Sequence, residues 1–343
     1  MSMSVTDIAA DKTLSADDEI RSHSCPNCYF CKAVGTLLYE GLTDRLFDAP
    51  GSWNLKRCPN PSCGLIWLDP MPIEFDIAKA YERYYTHEPE VNEHTVSRGP
   101  RSNKIKAGLA WLYEFCWRLT PLYGEQRKLD LMYLGGRMPG RVLEVGCGNG
   151  HRLAQLRALG WDIQGQEVDE KAAALARRRL GGHVSLGSLD QAGFQDGEFD
   201  AVVMSHVLEH VHDPQGLLGE CKRILKPGGH LVSITPNAHA WGHSRFGARW
   251  YGLDPPRHLL LYSRNTLELL AANCGLRNVR AWTTAARSHW ILGGSLRIEY
   301  GEATDMWAVI KRGARQATLH AGAIAARVRD PDSGEECVLL ASK

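Results

Sequence analysis

The sequence predicts an α/β protein: a mostly parallel sheet covered on both faces by helices, preceded by a small cysteine-rich module and a helical linker. Three observations carry that expectation. From Arg141 onward, short apolar runs alternate with amphipathic stretches at strand and helix lengths, the pattern of βαβ units. The first of those runs, Val142 to Val145, leads directly into a glycine-rich turn. Five cysteines crowd between Cys25 and Cys63, whereas Cys116, Cys147, Cys221, Cys274 and Cys337 are scattered singly. A length of 343 residues suggests about two domains, at roughly 150 residues each.

The elements follow in order. Residues 1–23 are polar, acidic and aperiodic, and are expected to be a flexible tail. Residues 24–73 are rich in Cys, Pro and Gly with short apolar runs, which suits a small loop-rich module. Residues 74–135 read as a mostly helical linker, broken by a loop at Arg98-Gly99-Pro100-Arg101-Ser102. Its aromatic segment, with Trp111, Tyr113, Phe115, Trp117 and Tyr123, suits ordinary helix packing better than a pocket wall. Residues 136–343 form the α/β domain. Leu153, Leu156 and Leu159 stand at helical spacing, with Gly160 as a stop. Trp161 to Val168 and Phe199 to Ser205 read as strands, and Glu170 to Leu180 and Pro214 to Leu225 as helices. Lys226-Pro227-Gly228-Gly229 reads as a turn before a strand from His230 to Thr235. Ser263 is placed to cap a helix running to Cys274, strands follow near Val279 to Thr283 and Glu335 to Ala341, and 236–331 supplies a partly helical cap.

Several function classes fall away at this level. With 40 Lys and Arg against 39 Asp and Glu, no global field draws the chain to nucleic acid or an anionic membrane. No apolar stretch approaches the roughly 20 residues that span a bilayer, and no secretory signal pattern opens the chain, so the expected location is cytoplasmic.

The turn Glu144-Val145-Gly146-Cys147-Gly148-Asn149-Gly150 lies between a strand and a helix, where a ligand loop belongs. Its spacing is Gly-x-Gly-x-Gly, not the Gly-x-Gly-x-x-Gly that seats a pyrophosphate. Glu144 just before it would repel a pyrophosphate and suits a cationic group, such as the amine and sulfonium end of S-adenosylmethionine. Glu167, at the end of the next strand, falls where an acid accepts hydrogen bonds from ribose hydroxyls. With Gly165-Gln166-Glu167-Val168-Asp169, Phe199 to Val211 and Leu225-Lys226-Pro227-Gly228-Gly229, these segments resemble class I S-adenosylmethionine-dependent methyltransferases over about residues 140–235. The resemblance implies a Rossmann-like seven-stranded sheet whose last strand is antiparallel. It implies that Gly146 and Gly148, with nearby Cys147, Asn149 and Gly150, hold the methionine end, and that Glu167 beside Val168 holds the ribose. Ser188 and Leu189 would border the adenine, and Ser205 and His206 would flank the cofactor. The family often has an acid beside the adenine where this chain has Ser188.

Cys28-x-x-Cys31 and Cys58-x4-Cys63 form two knuckles about 26 residues apart, a spacing suited to one tetrahedral zinc ion. Cys25-Pro26-Asn27-Cys28 offers a competing first pair. Leu38-Tyr39-Glu40-Gly41 and Arg57 to Pro70 resemble bacterial methyltransferases with an N-terminal zinc-ribbon-like module. That resemblance places the first pair eight residues before the tyrosine, which favours Cys28 and Cys31 with Cys25 spare. Four sulfurs leave no open position, so the expected zinc is structural. Asp44, Asp48 and Asp69 dilute any charge for nucleic acid.

Methyl transfer needs alignment of a nucleophile and often removal of a proton. Candidate bases are His206 and His210, after the strand ending at Ser205, and His258, within Pro255-Pro256-Arg257-His258-Leu259. Arg257 is expected at the surface. The leading expectation is methylation of an O or C atom of a small-molecule acceptor, such as a sugar or natural-product intermediate. A non-catalytic binding protein on the same fold is the alternative, and a nicotinamide-dependent oxidoreductase a weaker one, because the glycine spacing and Glu144 count against it.

Overall fold

The computed structural model describes residues 19–82, 121–303 and 305–343. Its centre is a seven-stranded sheet in the order β12-β13-β10-β9-β6-β7-β8. These strands are β6 (Arg141–Val145), β7 (Asp162–Glu167), β8 (Val184–Leu186), β9 (Phe199–Ser205), β10 (Leu225–Pro236), β12 (Arg277–Thr284) and β13 (Glu336–Ser342). β6, β7, β8, β9 and β10 pair in parallel, and β13 runs antiparallel to both its neighbours, β10 and β12. The expected sheet with an antiparallel last strand is therefore present. The last strand is inserted between β10 and β12 rather than added at the edge. Its run of Cys337, Val338 and Leu339 is fully buried, and apolar side chains on both faces require a central position. Lys226 to Gly229 departs from the expected turn: β10 starts at Leu225 and takes up the segment as an irregularity in its register.

The flanking helices are set by local chemistry. Helix α1 is Pro121–Asp130, α2 is His151–Ala158, and α3 is Glu170–Leu180. The Asp169 carboxylate accepts from Ala172 N at the start of α3, and Gly181 closes it at φ 71°. Helix α4 (Pro214–Ile224) is capped by Asp213. The cap starts with the short α5 (Trp241–Phe246), and α6 (Arg264–Asn273) opens on a capping box between Ser263 and Thr266, as the sequence predicts. α7 (Ser288–Tyr300) and the long α8 (Met306–Arg329) form the helical part of the cap.

The cysteine-rich region folds around β2 (Thr36–Leu42), β3 (Trp53–Arg57) and β4 (Ile66–Leu68), an antiparallel meander. Its fourth strand, β11 (Leu260–Leu261), comes from the α/β domain and pairs with Ile66 and Trp67 of β4. Trp67, Leu55 and Leu65 share one buried cluster with Leu260, Tyr262 and Leu208. A module of this size buries too little apolar surface alone, and the shared core supplies the rest. The expected flexible tail of 1–23 is corrected at its end. β1 (Ser22–His23) pairs with β5 (Met71–Pro72), and Arg21 binds Asp76 through its backbone and guanidinium. Residues Glu74–Tyr81 form 3-10 turns rather than an α-helix. The loop at 98–102 and the aromatic segment up to Trp117 lie outside the described residues.

Candidate active site

The carboxyl ends of β6, β7 and β9 meet along one edge of the sheet. Gly146, Gly148 and Gly150 all have positive φ there (64°, 53° and 75°), a conformation that L side chains rarely adopt. A Cβ on Gly146 would lie 2.6 Å from Val207 Cγ2, whereas one on Gly148 would meet nothing within 4 Å. The loop is therefore packed underneath at Gly146 and open above at Gly148. Asn149 turns inward: its Oδ1 accepts from His151 N and from Arg179. The Cys147 thiol is buried, and burial raises its pKa.

Glu167 fastens this loop to β7. Its carboxylate accepts from Gly148 N (2.7 Å), Val168 N (2.8 Å) and Asp169 N (3.0 Å). Burial raises its pKa, and those three N–H donors oppose the rise. Glu144 is not turned toward open space. It is buried and ion-paired with Arg152 of α2, while its Oε2 is buried without a hydrogen-bond partner. Sequence reasoning missed Gln166, which accepts from Gly146 N (3.3 Å) and donates to the Gly187 carbonyl, linking the loop to the Ser188 segment. A glutamine inside a strand carries no motif signal. Val168 is 68% exposed beside Glu167, an apolar side chain at the mouth of the crevice, and Ser188 is half-buried above buried Leu189.

Beyond β9 the backbone breaks sharply. His206 sits at φ 55°, a strained left-handed conformation for a non-glycine residue. Its ring bridges two buried carboxylates, Glu209 Oε1 at 3.1 Å and Glu336 Oε1 at 3.0 Å, and Glu336 also pairs with Arg287. Burial opposes protonation, but the two glutamates outweigh it and push the His206 pKa up to about 9. His210 Nδ1 contacts the Tyr81 hydroxyl (2.8 Å) and the Arg257 carbonyl (3.0 Å), and burial beside His258 lowers its pKa to about 4. His258 donates Nδ1–H to the Gly252 carbonyl (2.8 Å), which leaves Nε2 as its lone-pair nitrogen, 4.0 Å from Glu209 Oε1. Glu209 Oε2 is buried without a partner. Donor atoms of Glu209, His210 and His258 lie within 4.8 Å of one another and could hold a cation.

Arg257, expected at the surface, is fully buried. It pairs with Asp254 (3.0 and 2.5 Å) and Asp44 (2.8 Å) and donates to the Ala80 carbonyl (2.9 Å). It is thus a clasp between the loop at 254–258 and the cysteine module. The tertiary partners, unseen in the local sequence, account for the difference.

In the module, the sulfurs of Cys28, Cys31, Cys58 and Cys63 lie within 4.8 Å of one another. Cys28 and Cys63 are 3.6 Å apart, and Cys31 and Cys58 3.2 Å. A tetrahedral zinc with bonds of about 2.3 Å requires sulfurs about 3.8 Å apart, so the four residues fit such an ion. Cys25 stands outside the cluster, its N–H donated to Asp69 and its carbonyl accepting from Trp67.

Residues 124–281 match the family model described as a methyltransferase domain. A ubiquinone biosynthesis O-methyltransferase of Thiobacillus denitrificans is 36% identical over 129 residues, covering 35% of this chain and 55% of that protein. A probable S-adenosylmethionine-dependent methyltransferase of Mycolicibacterium smegmatis is 34% identical over 115 residues, 32% of this chain and 45% of that protein. The chain thus spans about half the length of these relatives. Among solved structures, a SAM-dependent methyltransferase from Archaeoglobus fulgidus aligns with a TM-score of 0.44 at 18% identity, covering 68% of this chain and 99% of that one. The glycine loop and its Glu167 clasp lie within the matched segment, so residues 124–281 resemble a methyltransferase domain at the part of the fold that carries the loop.

Proposed function

We propose that the chain transfers a methyl group from S-adenosylmethionine to an oxygen of a small-molecule acceptor. The observation that carries this reading is the match of residues 124–281 to a methyltransferase domain. Two structural features fit the cofactor: the open space above Gly148 and the buried, unpartnered Oε2 of Glu144. Bound S-adenosylmethionine would supply an electrophilic methyl group on a sulfonium.

The chain's own residues divide the remaining work. Gly146 to Gly150 give backbone room, Glu167 and Gln166 hold that backbone still, and Val168 and Leu189 offer apolar surface to a base. Ser205 and His206 border the crevice from β9. With a pKa near 9, His206 carries its proton at neutral pH and is unsuited to taking another. That task falls to His258, whose Nε2 lone pair is fixed by the bond to Gly252 and lies 4.0 Å from Glu209 Oε1. His210 buttresses this pair. Cys28, Cys31, Cys58 and Cys63 would hold one structural zinc.

Transfer of a labelled methyl group from S-adenosylmethionine into a metabolite extract, with mass spectrometry of the product, tests the activity and separates O- from C-methylation. His258→Asn is expected to remove turnover while leaving S-adenosylhomocysteine affinity unchanged. Absence of S-adenosylhomocysteine binding to folded wild type would end the reading.

A further inference from the structure

A second cavity lies where the cysteine module meets the start of the cap. It encloses about 440 Å³, with Tyr39 and Arg57 contributed by the module and His239, His243 and Ser244 by the α/β domain. Its polar lining is Tyr39, Arg57, His239, His243 and Ser244 and includes, among the described residues, no aspartate or glutamate. Arg57 is its only formal charge. The Arg57 Nε is buried without a hydrogen-bond partner, and among the described residues the guanidinium has no ion pair. A buried N–H left in this state is costly. A guanidinium edge presents two parallel N–H groups, the geometry that matches a carboxylate or phosphate.

The opposite wall is rigid. The Tyr39 hydroxyl donates to His243 Nε2 (3.0 Å), because His243 Nδ1–H is already given to the Ala238 carbonyl (2.8 Å). The His243 ring stacks on Trp250 at 4.9 Å, and Trp250 Nε1 donates to buried Glu335 (3.2 Å). Ala238 and His239 come two and three residues after β10, at the carboxyl edge of the parallel strands where α/β sheets bind ligands. Arg57 immediately precedes Cys58, so the knuckle that would hold zinc also positions the guanidinium.

We propose that this cavity is an oxyanion-binding subsite, in which Arg57 takes a carboxylate or phosphate group beside the His239 ring of the domain side. On the methyltransferase reading, on which this last step rests, the anion belongs to the acceptor. The cysteine module would then build half of the acceptor site rather than serve as an appendage.

The test uses the full-length, metal-loaded protein. Inorganic phosphate and acetate are titrated separately at constant ionic strength against a chloride background, by calorimetry, with S-adenosylhomocysteine titrated in parallel. Saturable binding of at least one of the two anions at one site is expected. Arg57→Gln should weaken it at least about tenfold, with zinc content and S-adenosylhomocysteine affinity unchanged. Because Arg57 adjoins a knuckle, Ser244→Asp tests the cavity from the other side by placing a negative charge at its rim, and should weaken the same anion. Phosphate alone or acetate alone identifies the group recognised. No saturable binding of either, or binding indifferent to both substitutions, overturns the subsite. Failure of S-adenosylhomocysteine binding with anion binding intact would instead remove the methyltransferase reading and leave the subsite standing.

Discussion

The cofactor edge and the acceptor edge of this site are built in opposite ways. At the cofactor edge, short segments at or just past strand ends offer backbone groups to two side chains of β7: Gly146 to Gly150, Gln166 to Asp169, and Gly187 to Leu189. At the acceptor edge, side chains converge from remote parts of the chain. Arg257 reaches Asp44, 213 residues away, and His206 reaches Glu336, 130 residues away. A site made of backbone writes its signature locally, as glycines and one acid. A site made of side chains is assembled only by packing.

The comparison can be broken most severely at the cysteine module. Cys58→Ser should abolish binding of the proposed zinc, and because structural zinc contributes on the order of 10 kcal/mol to such modules, the meander should unfold. β11 would lose its partner β4, so limited proteolysis should cut near residues 254–262 while S-adenosylhomocysteine still binds. Equal loss of cofactor binding would show that the two edges are not separable. Retention of a stable, metal-free wild type would refute the zinc assignment.

Next in size is Arg257→Leu, which strands Asp44 and Asp254 as buried charges without their cation. A cost of about 3–5 kcal/mol is expected in denaturant unfolding. Glu167→Ala probes the cofactor edge alone. It leaves the N–H groups of Gly148, Val168 and Asp169 without their acceptor, at a cost of about 1–3 kcal/mol. Calorimetry should show S-adenosylhomocysteine affinity falling by about tenfold or more, with no change in zinc content.

The smallest effect sharpens the acceptor edge. The His206 pKa, about 9 when folded, lies above the ordinary value of 6.5, so its contribution to stability is complete below about pH 6.5 and is lost as pH rises through 9. The side chain is 38% exposed, and solvent screening keeps this contribution small. NMR titration of the ring in Glu336→Gln should show the pKa falling toward 6.5. An unchanged value would remove Glu336 from the account.

Local features were legible in proportion to how local their causes are. Glu170–Leu180 and Phe199–Ser205 lie where periodicity places them, and Ser263 caps its helix, because capping and amphipathicity act within a few residues. The paired cysteines were legible as well, since ligand spacing is itself a signal, but spacing left Cys25 competing for the first pair and only the resemblance favoured Cys28 and Cys31, the pair that lies with Cys58 and Cys63 in the structure. Arg257 and Gln166 were not. Nothing near an arginine in a loop announces that its carboxylate partner lies in another module, and nothing local marks a strand glutamine as buried against a loop.

By itself the sequence determined the α/β alternation, the glycine loop with its following acid, and the paired cysteines, each a pattern whose physical cause lies within one or two elements. Tertiary structure alone decided that β13 runs between β10 and β12, that β11 completes the module's sheet, and that His206 is held protonated between Glu209 and Glu336. Those outcomes depend on which apolar faces must be covered and which buried charges must meet, and such demands are met across the whole fold at once.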